Sequence, residues 1–119
     1  MLEKTETLYD TKILVQTHHA DTEFIKYMIS LFIKLIPETN AALIKACKEK
    51  DWNEVYLSAH KMKASIDLFE LKELKELIRK TEQKAKNKVE TETIAADIKF
   101  ISAYLQKCIA AMKEDFNLE

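Results

Sequence analysis

The chain has 119 residues, a formal net charge of −1, no glycine and one proline. This length suits a single domain spanning residues 1–119, and average usage would give about eight glycines and six prolines. The scarcity of turn-forming residues excludes sheets with tight hairpins and favours helices joined by short polar links. The near-neutral charge excludes a global attraction to nucleic acid, and the lack of an 18-residue apolar run argues against a membrane span.

In chain order, the sequence first predicts a short helix from about Leu8 to Val15 and then a longer helix with Asp21 as its N-cap. The second helix has a wide apolar stripe, much of which we expect to face the core while its edge stays accessible: Phe24, Ile25, Met28, Leu31, Phe32 and Leu35. Pro37 should kink or restart this helix, because proline lacks the N–H that helical hydrogen bonding needs.

Asp51 is the expected N-cap of the next helix, whose apolar residues repeat close to every 3.6 positions. These residues are Trp52, Val55, Ala59, Met62, Ile66 and Phe69. Two further helices are predicted from about Leu71 to Lys86 and from about Thr91 to Phe116. Apolar residues of the last helix alternate by four and three, as in helices packed at about 20°: Ile94, Ile98, Ile101, Leu105, Cys108 and Met112. The predicted fold is all-α, an up-down-up-down four-helix bundle with a short additional N-terminal helix.

Neither the cysteines nor the paired histidines point to a metal site. Cys47 and Cys108 lie on apolar stripes, which indicates buried free thiols, and a single disulfide is the weaker alternative. His18 and His19 are interpreted as surface residues. Metal-binding bundles carry E-x-x-H motifs on inward faces, and this spacing is absent, so we expect no metal and no cofactor. The segment Met1–Thr5 lacks a signal-peptide apolar core, which makes the cytoplasm the expected location.

The most informative side chain is His60. At about 100° per residue, the apolar stripe of its helix centres about 130° away, so the imidazole should face solvent. Tyr56, Lys63, Ala64 and Asp67, at i−4, i+3, i+4 and i+7, share its surface neighbourhood. Neutral imidazole is a nucleophile, and a lysine one turn away can stabilise negative charge. This pattern suits the acceptance of a charged group from a partner.

The segment from Lys72 to Lys88 contains seven basic residues against three acidic ones. We interpret it as a solvated face crossed by i,i+4 ion pairs. No aromatic residue interleaves these charges, so a nucleic-acid surface is the weaker alternative and no nucleic-acid partner is expected.

Residues 60–65, His-Lys-Met-Lys-Ala-Ser, resemble the H-x-L-K-G-S signature of the histidine-containing phosphotransfer (HPt) domains of multistep two-component phosphorelays. Methionine replaces leucine, and Ala64 stands at the glycine of the signature. A second glycine of the family, about ten residues after the histidine, is Glu70 here. Further leucine and glutamate positions of the family match at the expected spacings: Leu74, Leu77 and Glu82. The resemblance extends over about residues 8–86.

This resemblance implies a phosphorelay intermediate that accepts a phosphoryl group on His60 and exchanges it with the aspartate of a response-regulator receiver domain. Lys63 would stabilise the phosphoryl charge and Ala64 would keep the approach open. The implied partners are a receiver domain, expected to bring Mg²⁺, and a hybrid sensor histidine kinase. The chain would then be a monomeric phosphoryl carrier and not an enzyme.

The partner is expected to dock on residues around the histidine and on the edge of the second helix: Tyr56, Lys61, Asp67, Tyr27 and Met28. One alternative function is a non-phosphorylated helical adaptor that binds a receiver or another signalling partner. An enzyme of the bundle class is a weaker alternative, because the metal-ligand spacing is absent.

Overall fold

The computed structural model describes residues 8–118. Its α-helices are α1 (Lys12–His18), α2 (Thr22–Lys48), α3 (Trp52–Leu68), α4 (Lys72–Asn87) and α5 (Ile94–Asp115), with a 3₁₀ turn at Thr91–Thr93 before α5. No strand occurs in residues 8–118. The all-α class predicted from composition and periodicity is therefore confirmed.

The four long helices form a bundle. α3 packs against α2 and α4, and α5 closes the bundle by packing against α4 and α2. Phe32 of α2 meets Phe69, which follows α3, edge to face with ring centroids 5.1 Å apart. Between α3 and α4, His60 pairs with Glu82 while the later Asp67 pairs with the earlier Arg79. These two helices therefore run antiparallel.

The core consists mainly of the stripes that the periodicity predicts. All six apolar residues predicted for the seam of α5 are buried. In α3 the stripe residues Val55, Ala59, Met62 and Ile66 are fully buried, and Trp52 is partly buried. Because each fully buried Leu, Ile or Met stabilises the fold by roughly 1.5–3 kcal/mol, these stripes fix which face of α3 points outward.

The predicted core face of α2 was partly wrong. The structure buries Ile29, Phe32, Ile36 and Leu43, whereas Phe24 and Leu35 are 43% and 48% exposed. The apolar residues of this helix span more of its circumference than α3 and α5 can cover, and the buried face is rotated away from the predicted centre. An apolar edge of α2 is therefore left at the surface.

Pro37 does not interrupt α2, which is one continuous helix from Thr22 to Lys48. The predicted restart was wrong, because a proline removes a single N–H donor and buried residues on both sides hold the helix in place. Ile36 and Leu43 are among them. A kink at Pro37 stays a prediction. The 27-residue helix thus forms one long wall of the bundle.

α2 also has the length and the mean hydropathy, 1.2 over its most apolar window, of a membrane-spanning helix. A core helix of a bundle has the same composition. Here the apolar face of α2 packs against α3 and α5.

α1 lies three to four residues later than the predicted helix from Leu8 to Val15. Residues 8–11 are not helical because their backbone bonds to other elements: Asp10 N donates to Phe69 O at 2.7 Å, and Leu8 O accepts from the Tyr104 hydroxyl at 3.0 Å. The segment thus ties the start of the described chain to α5 and to the end of α3.

The helix ends use left-handed residues other than glycine. Lys50, Glu70 and Lys88 have φ values of 57°, 53° and 55°, in the region that glycine enters most easily. After each of them, the next N–H donates to a carbonyl five residues back, as in Leu71 N to Ile66 O at 2.9 Å. This is the Schellman pattern, so the turn at Glu70 forms without the glycine of the HPt signature.

Both cysteines are free thiols: Cys108 is buried and Cys47 is half-buried. Desolvation by burial raises the pKa of Cys108 to about 12. The predicted burial is confirmed for Cys108 and only in part for Cys47, and the alternative of a disulfide between them was wrong.

Candidate functional site

α3 holds His60 at the surface. Asp51 is the N-cap of this helix, and its carboxylate accepts a hydrogen bond from Glu54 N at 3.3 Å. Such a cap stabilises a helix by about 0.5–2 kcal/mol. With Val55 and Ala59 fully buried on the inner face, the side chain of His60 points outward and is 58% exposed. The exposed imidazole predicted from the stripe is confirmed.

Glu82 of α4 joins His60 to Lys63. Its Oε2 atom lies 2.6 Å from His60 Nδ1, and its Oε1 atom lies 2.9 Å from Lys63 Nζ. The side chain of Glu82 is only 6% exposed. A carboxylate this deeply buried needs charged or hydrogen-bonding partners, and α3 supplies one for each oxygen.

The same contacts determine the protonation of Glu82. Burial acts to raise the pKa of Glu82, but the hydrogen bonds from Lys63 and His60, together with their charges, outweigh it and lower the pKa below its ordinary value. Glu82 is therefore ionised near neutral pH, and an ionised carboxylate only accepts hydrogen bonds. It follows that Nδ1 of His60 carries the proton in this hydrogen-bond network. In the neutral imidazole the lone pair is then on Nε2, the nitrogen that does not bond Glu82.

From the sequence, Glu82 was identified only as a glutamate at the spacing of the HPt family, and its contact with His60 was not predicted. A signal for this contact was present. Glu82 follows Leu74 and Ile78 by eight and four residues, so it shares the buried stripe of α4. Because a buried glutamate is almost always paired, its position indicates a partner on a neighbouring helix.

Lys63 and Ala64 occupy the next turn of α3. The side chain of Lys63 is 25% exposed, and its ammonium forms an ion pair with Glu82 beside the imidazole of His60. Ala64 and Lys61 are both exposed. Within residues 8–118, no group of three or more His, Cys, Asp or Glu side chains is placed to hold a metal ion.

Tyr56 lies one turn before His60 and contacts it. The two ring centroids are 5.9 Å apart and the ring planes are tilted by 31°. Lys86 of α4 places its Nζ atom 6.0 Å from the centroid of the Tyr56 ring, at the outer limit of a cation–π contact. The structure thus brings to the site a lysine that sequence reasoning assigned to a solvated face.

Asp67, two turns after His60, forms an ion pair with Arg79. Asp67 Oδ2 accepts from Arg79 Nη2 at 2.6 Å, and both side chains are roughly half exposed. This hydrogen bond raises the pKa of Arg79. The predicted docking residue Asp67 is therefore present near the site, with its charge balanced by α4.

The expectation of i,i+4 ion pairs within the basic segment was wrong. The ion pairs of the described α4 lysines and arginine reach other elements: Lys75 to Glu70, Arg79 to Asp67, and Lys84 to Asp97. Arg79 is therefore neutralised by Asp67, and the positive charge on the α4 side of the site comes from Lys86 beside Tyr56.

Tyr27 and Met28 lie farther from His60 than the sequence suggests. Phe32 of α2 meets Phe69, while the later Ala46 lines a pocket with the earlier Asp51, so α2 and α3 run antiparallel. With Phe32 level with Phe69, a rise of 1.5 Å per residue puts Tyr27 about 20 Å from His60 along the bundle. Tyr27 is 58% exposed, and Met28 is half-buried. Neither residue is part of the immediate site.

Two exposed leucines lie nearer to the histidine. Leu57, three residues before His60 and on the same face of α3, is 46% exposed. Ala42 of α2 borders the start of α3 beside Asp51. Leu35 is seven residues, or two turns, before Ala42, so both residues lie on the face of α2 that is next to α3. We name Phe24, Tyr27, Leu35 and Leu57 the apolar strip.

The part of the chain that contains this site is similar to one known protein family. The Hpt domain family matches residues 28–115, about three quarters of the chain. The match includes all of α3, α4 and α5, and with them His60, Lys63 and Glu82. No curated protein and no solved structure matches the chain significantly. Hpt domains are generally soluble helical bundles that carry phosphoryl groups in phosphorelays and interact there with kinases and receiver domains. On the length of the match, the chain belongs to the Hpt domain family.

Proposed function

We propose that His60 accepts a phosphoryl group and exchanges it with the aspartate of a response-regulator receiver domain. The observation that carries this proposal is the 2.6 Å contact between His60 Nδ1 and Glu82 Oε2. This contact holds the proton on Nδ1 and leaves the lone pair of Nε2 on the exposed side of α3. Membership of the Hpt family supports the general role.

In the forward step the lone pair of Nε2 attacks the phosphorus of the receiver's aspartyl phosphate. The N–P bond forms while the P–O bond to the aspartate breaks, and the carboxylate leaves with the electron pair. The imidazole ring gains positive charge and keeps its proton on Nδ1, so the ionised Glu82 stabilises the phosphorylated ring. Transfer to a second receiver reverses each of these changes.

Charge around His60 fits this transfer. The ammonium of Lys63 and the imidazole of His60 contact the same carboxylate, that of Glu82. The ammonium is therefore close enough to stabilise the phosphoryl oxygens as a point charge. Lys86 adds positive charge on the α4 side, next to Tyr56, which favours the approach of an acidic partner surface. On this proposal Mg²⁺ belongs to the receiver, and the chain acts as a carrier that needs no cofactor of its own.

The receiver would cover His60 and the surface around it, including Tyr56, Lys61, Ala64 and Asp67. A standard interface buries about 800 Å² on each partner, a patch roughly 30 Å across. One partner could therefore cover His60 and also reach Tyr27 and Met28 on the apolar strip side of α2. We propose the same face for a hybrid sensor kinase, with the chain acting as a cytoplasmic monomer.

The test is transfer of label from a ³²P-phosphorylated receiver domain. Wild type should acquire label that is labile in acid and stable in base, as expected for a phosphoramidate, and His60→Gln should acquire none. Because the chain has three histidines, His18→Gln and His19→Gln are matched controls that should label like wild type. Label that persists in His60→Gln, or that no receiver or hybrid kinase can deliver to wild type, contradicts the proposal. The second outcome favours a non-phosphorylated adaptor.

A further inference from the structure

A second surface feature lies between α2 and α5. It is a groove of about 520 Å³, open to solvent, and we name it the α2–α5 groove. Apolar and small side chains form its floor: Ile44, Cys47, Ala95 and Ile98. Burial raises the pKa of the Cys47 thiol, so this side chain is uncharged near neutral pH. The volume lies within the range of about 300–1,000 Å³ that is typical of ligand-binding sites.

Positive charge surrounds this apolar floor. Lys48, Lys50 and Lys99 line the groove, and no acidic residue lines it. None of the ion pairs found among residues 8–118 uses these three lysines. An occupant that buries apolar side chains here would therefore gain most by carrying carboxylates at its flanks.

The shape of the groove fits a helix better than a small molecule. From Ala95 to Ser102 the α5 wall is about 10 Å long, or two helical turns. That length matches the i, i+4 and i+7 side chains of an amphipathic helix lying between two others. Small-molecule sites usually enclose 70–90% of the ligand, whereas this groove is open along its outer side. At the end of this wall, Ser102 exchanges hydrogen bonds with Asn40 of α2 at 3.0 and 3.2 Å.

The α2–α5 groove is separate from the phosphoacceptor face. No residue of α3 or α4 lines it, while His60, Lys63 and Glu82 belong to those two helices. A partner in the groove therefore leaves the imidazole accessible to a receiver.

We propose that the α2–α5 groove binds an amphipathic helix of a partner protein, with an apolar i, i+4, i+7 stripe flanked by aspartate or glutamate. Such a contact tethers the chain without competing for His60. It raises the effective concentration of any receiver or kinase domain linked to that helix.

The first experiment uses a designed 16-residue helical peptide with leucines at i, i+4 and i+7 and glutamates on both flanks. ¹⁵N NMR of the wild-type protein should show saturable shifts centred on Cys47, Ile98 and Ser102. A peptide with lysine in place of every glutamate should bind at least about tenfold more weakly, and the affinity of the acidic peptide should fall as salt rises. Shifts centred on His60, or equal binding of the two peptides, overturn the proposal.

The second experiment reverses the charge of the rim. Lys48→Glu combined with Lys99→Glu should weaken binding of the acidic peptide about tenfold. Lys26→Glu combined with Lys107→Glu, exposed positions of the same two helices outside the groove, should not. Both double variants should still accept phosphoryl label on His60. Loss of peptide binding with normal labelling thus separates this proposal from the proposed function.

Other occupants give distinct results. If dodecanoate fills the groove while the acidic peptide does not, the groove is a site for a small amphiphile. If sedimentation shows dimers that the rim double variant abolishes, the occupant is a second copy of the chain. Either result overturns the proposal of a partner helix.

Discussion

Replacing Glu82 by glutamine tests the link between the buried carboxylate and the histidine. The change keeps the shape of the side chain and removes its charge. Wild type has two charge-assisted hydrogen bonds here, at 2.6 and 2.9 Å, each contributing about 1.5–3 kcal/mol in a protected site. The side chains of His60 and Lys63 are 58% and 25% exposed, so water competes for both, and glutamine keeps one acceptor. We therefore expect a loss of about 1–2 kcal/mol in the free energy of unfolding at pH 7.

The stability difference between wild type and Glu82→Gln should depend on pH in a definite direction. The pKa of Glu82 is lowered in the folded protein from an ordinary value of 4.5. The stabilisation is therefore fully present above about pH 4.5 and is lost as the pH falls through the folded-state value. The difference in stability between wild type and Glu82→Gln should be constant near neutral pH and should shrink on acidification below pH 4.5. Urea denaturation at a series of pH values measures it.

Phosphotransfer gives the second measurement. The neutral glutamine oxygen holds the proton on Nδ1 more weakly than the carboxylate does, and the phosphorylated ring loses its counter-charge. A loss of about 1 kcal/mol in the transition state slows transfer about fivefold, so single-turnover labelling of Glu82→Gln should be about five- to tenfold slower than in wild type.

Glu76→Gln, an exposed glutamate of the same helix, is the matched control and should change neither measurement. The reasoning is refuted if Glu82→Gln has wild-type transfer rates and its stability relative to wild type is the same at pH 3.5 and pH 7.

Three further predictions concern other parts of the molecule. Lys63→Met should slow transfer about tenfold, because it removes the nearest positive charge from the phosphoryl oxygens; an unchanged single-turnover rate would rule out that role. Leu35→Glu should weaken receiver binding about tenfold in a titration, since it puts a charge into the apolar strip, whereas Val89→Glu, which is equally exposed (49% against 48%), should bind as wild type does. Lys88→Gly should stabilise the fold by about 0.5–1 kcal/mol, because φ is 55° there. Lys80→Gly, within α4, is the control and should destabilise the fold by about 1 kcal/mol in thermal unfolding. If both variants change the stability in the same direction, the left-handed conformation of Lys88 does not limit the stability of this helix end.

Much of the fold follows from local patterns. The seam of α5 repeats without a break, so its burial could be predicted from spacing alone, and Asp21 and Asp51 mark helix starts by the same chemistry in sequence and structure. The core face of α2 could not be chosen in this way. Its apolar residues occupy too wide an arc, and only the positions of α3 and α5 decide that Ile29 is buried and Leu35 is exposed.

In the candidate site, contacts within one helix could also be predicted from the sequence, and contacts between helices could not. His60, Lys63 and Tyr56 lie within two turns of one helix, so helical geometry alone groups them. Glu82 is 22 residues from His60, and its contact depends on the register between α3 and α4. That register comes from packing and is not visible in either helix alone. Lys86 and Arg79 were missed as neighbours of the site for the same reason.

In the proposed mechanism the phosphoryl group resides on Nε2 of His60, while Glu82 holds the proton on Nδ1. Its most direct test is ³¹P and ¹⁵N NMR of the protein labelled with ¹⁵N-histidine and phosphorylated by a receiver domain. We expect one N–P coupling, assigned to Nε2 of His60 and absent from His60→Gln. A coupling to Nδ1, a phosphoryl group on any other residue, or no N–P bond at all would contradict this mechanism.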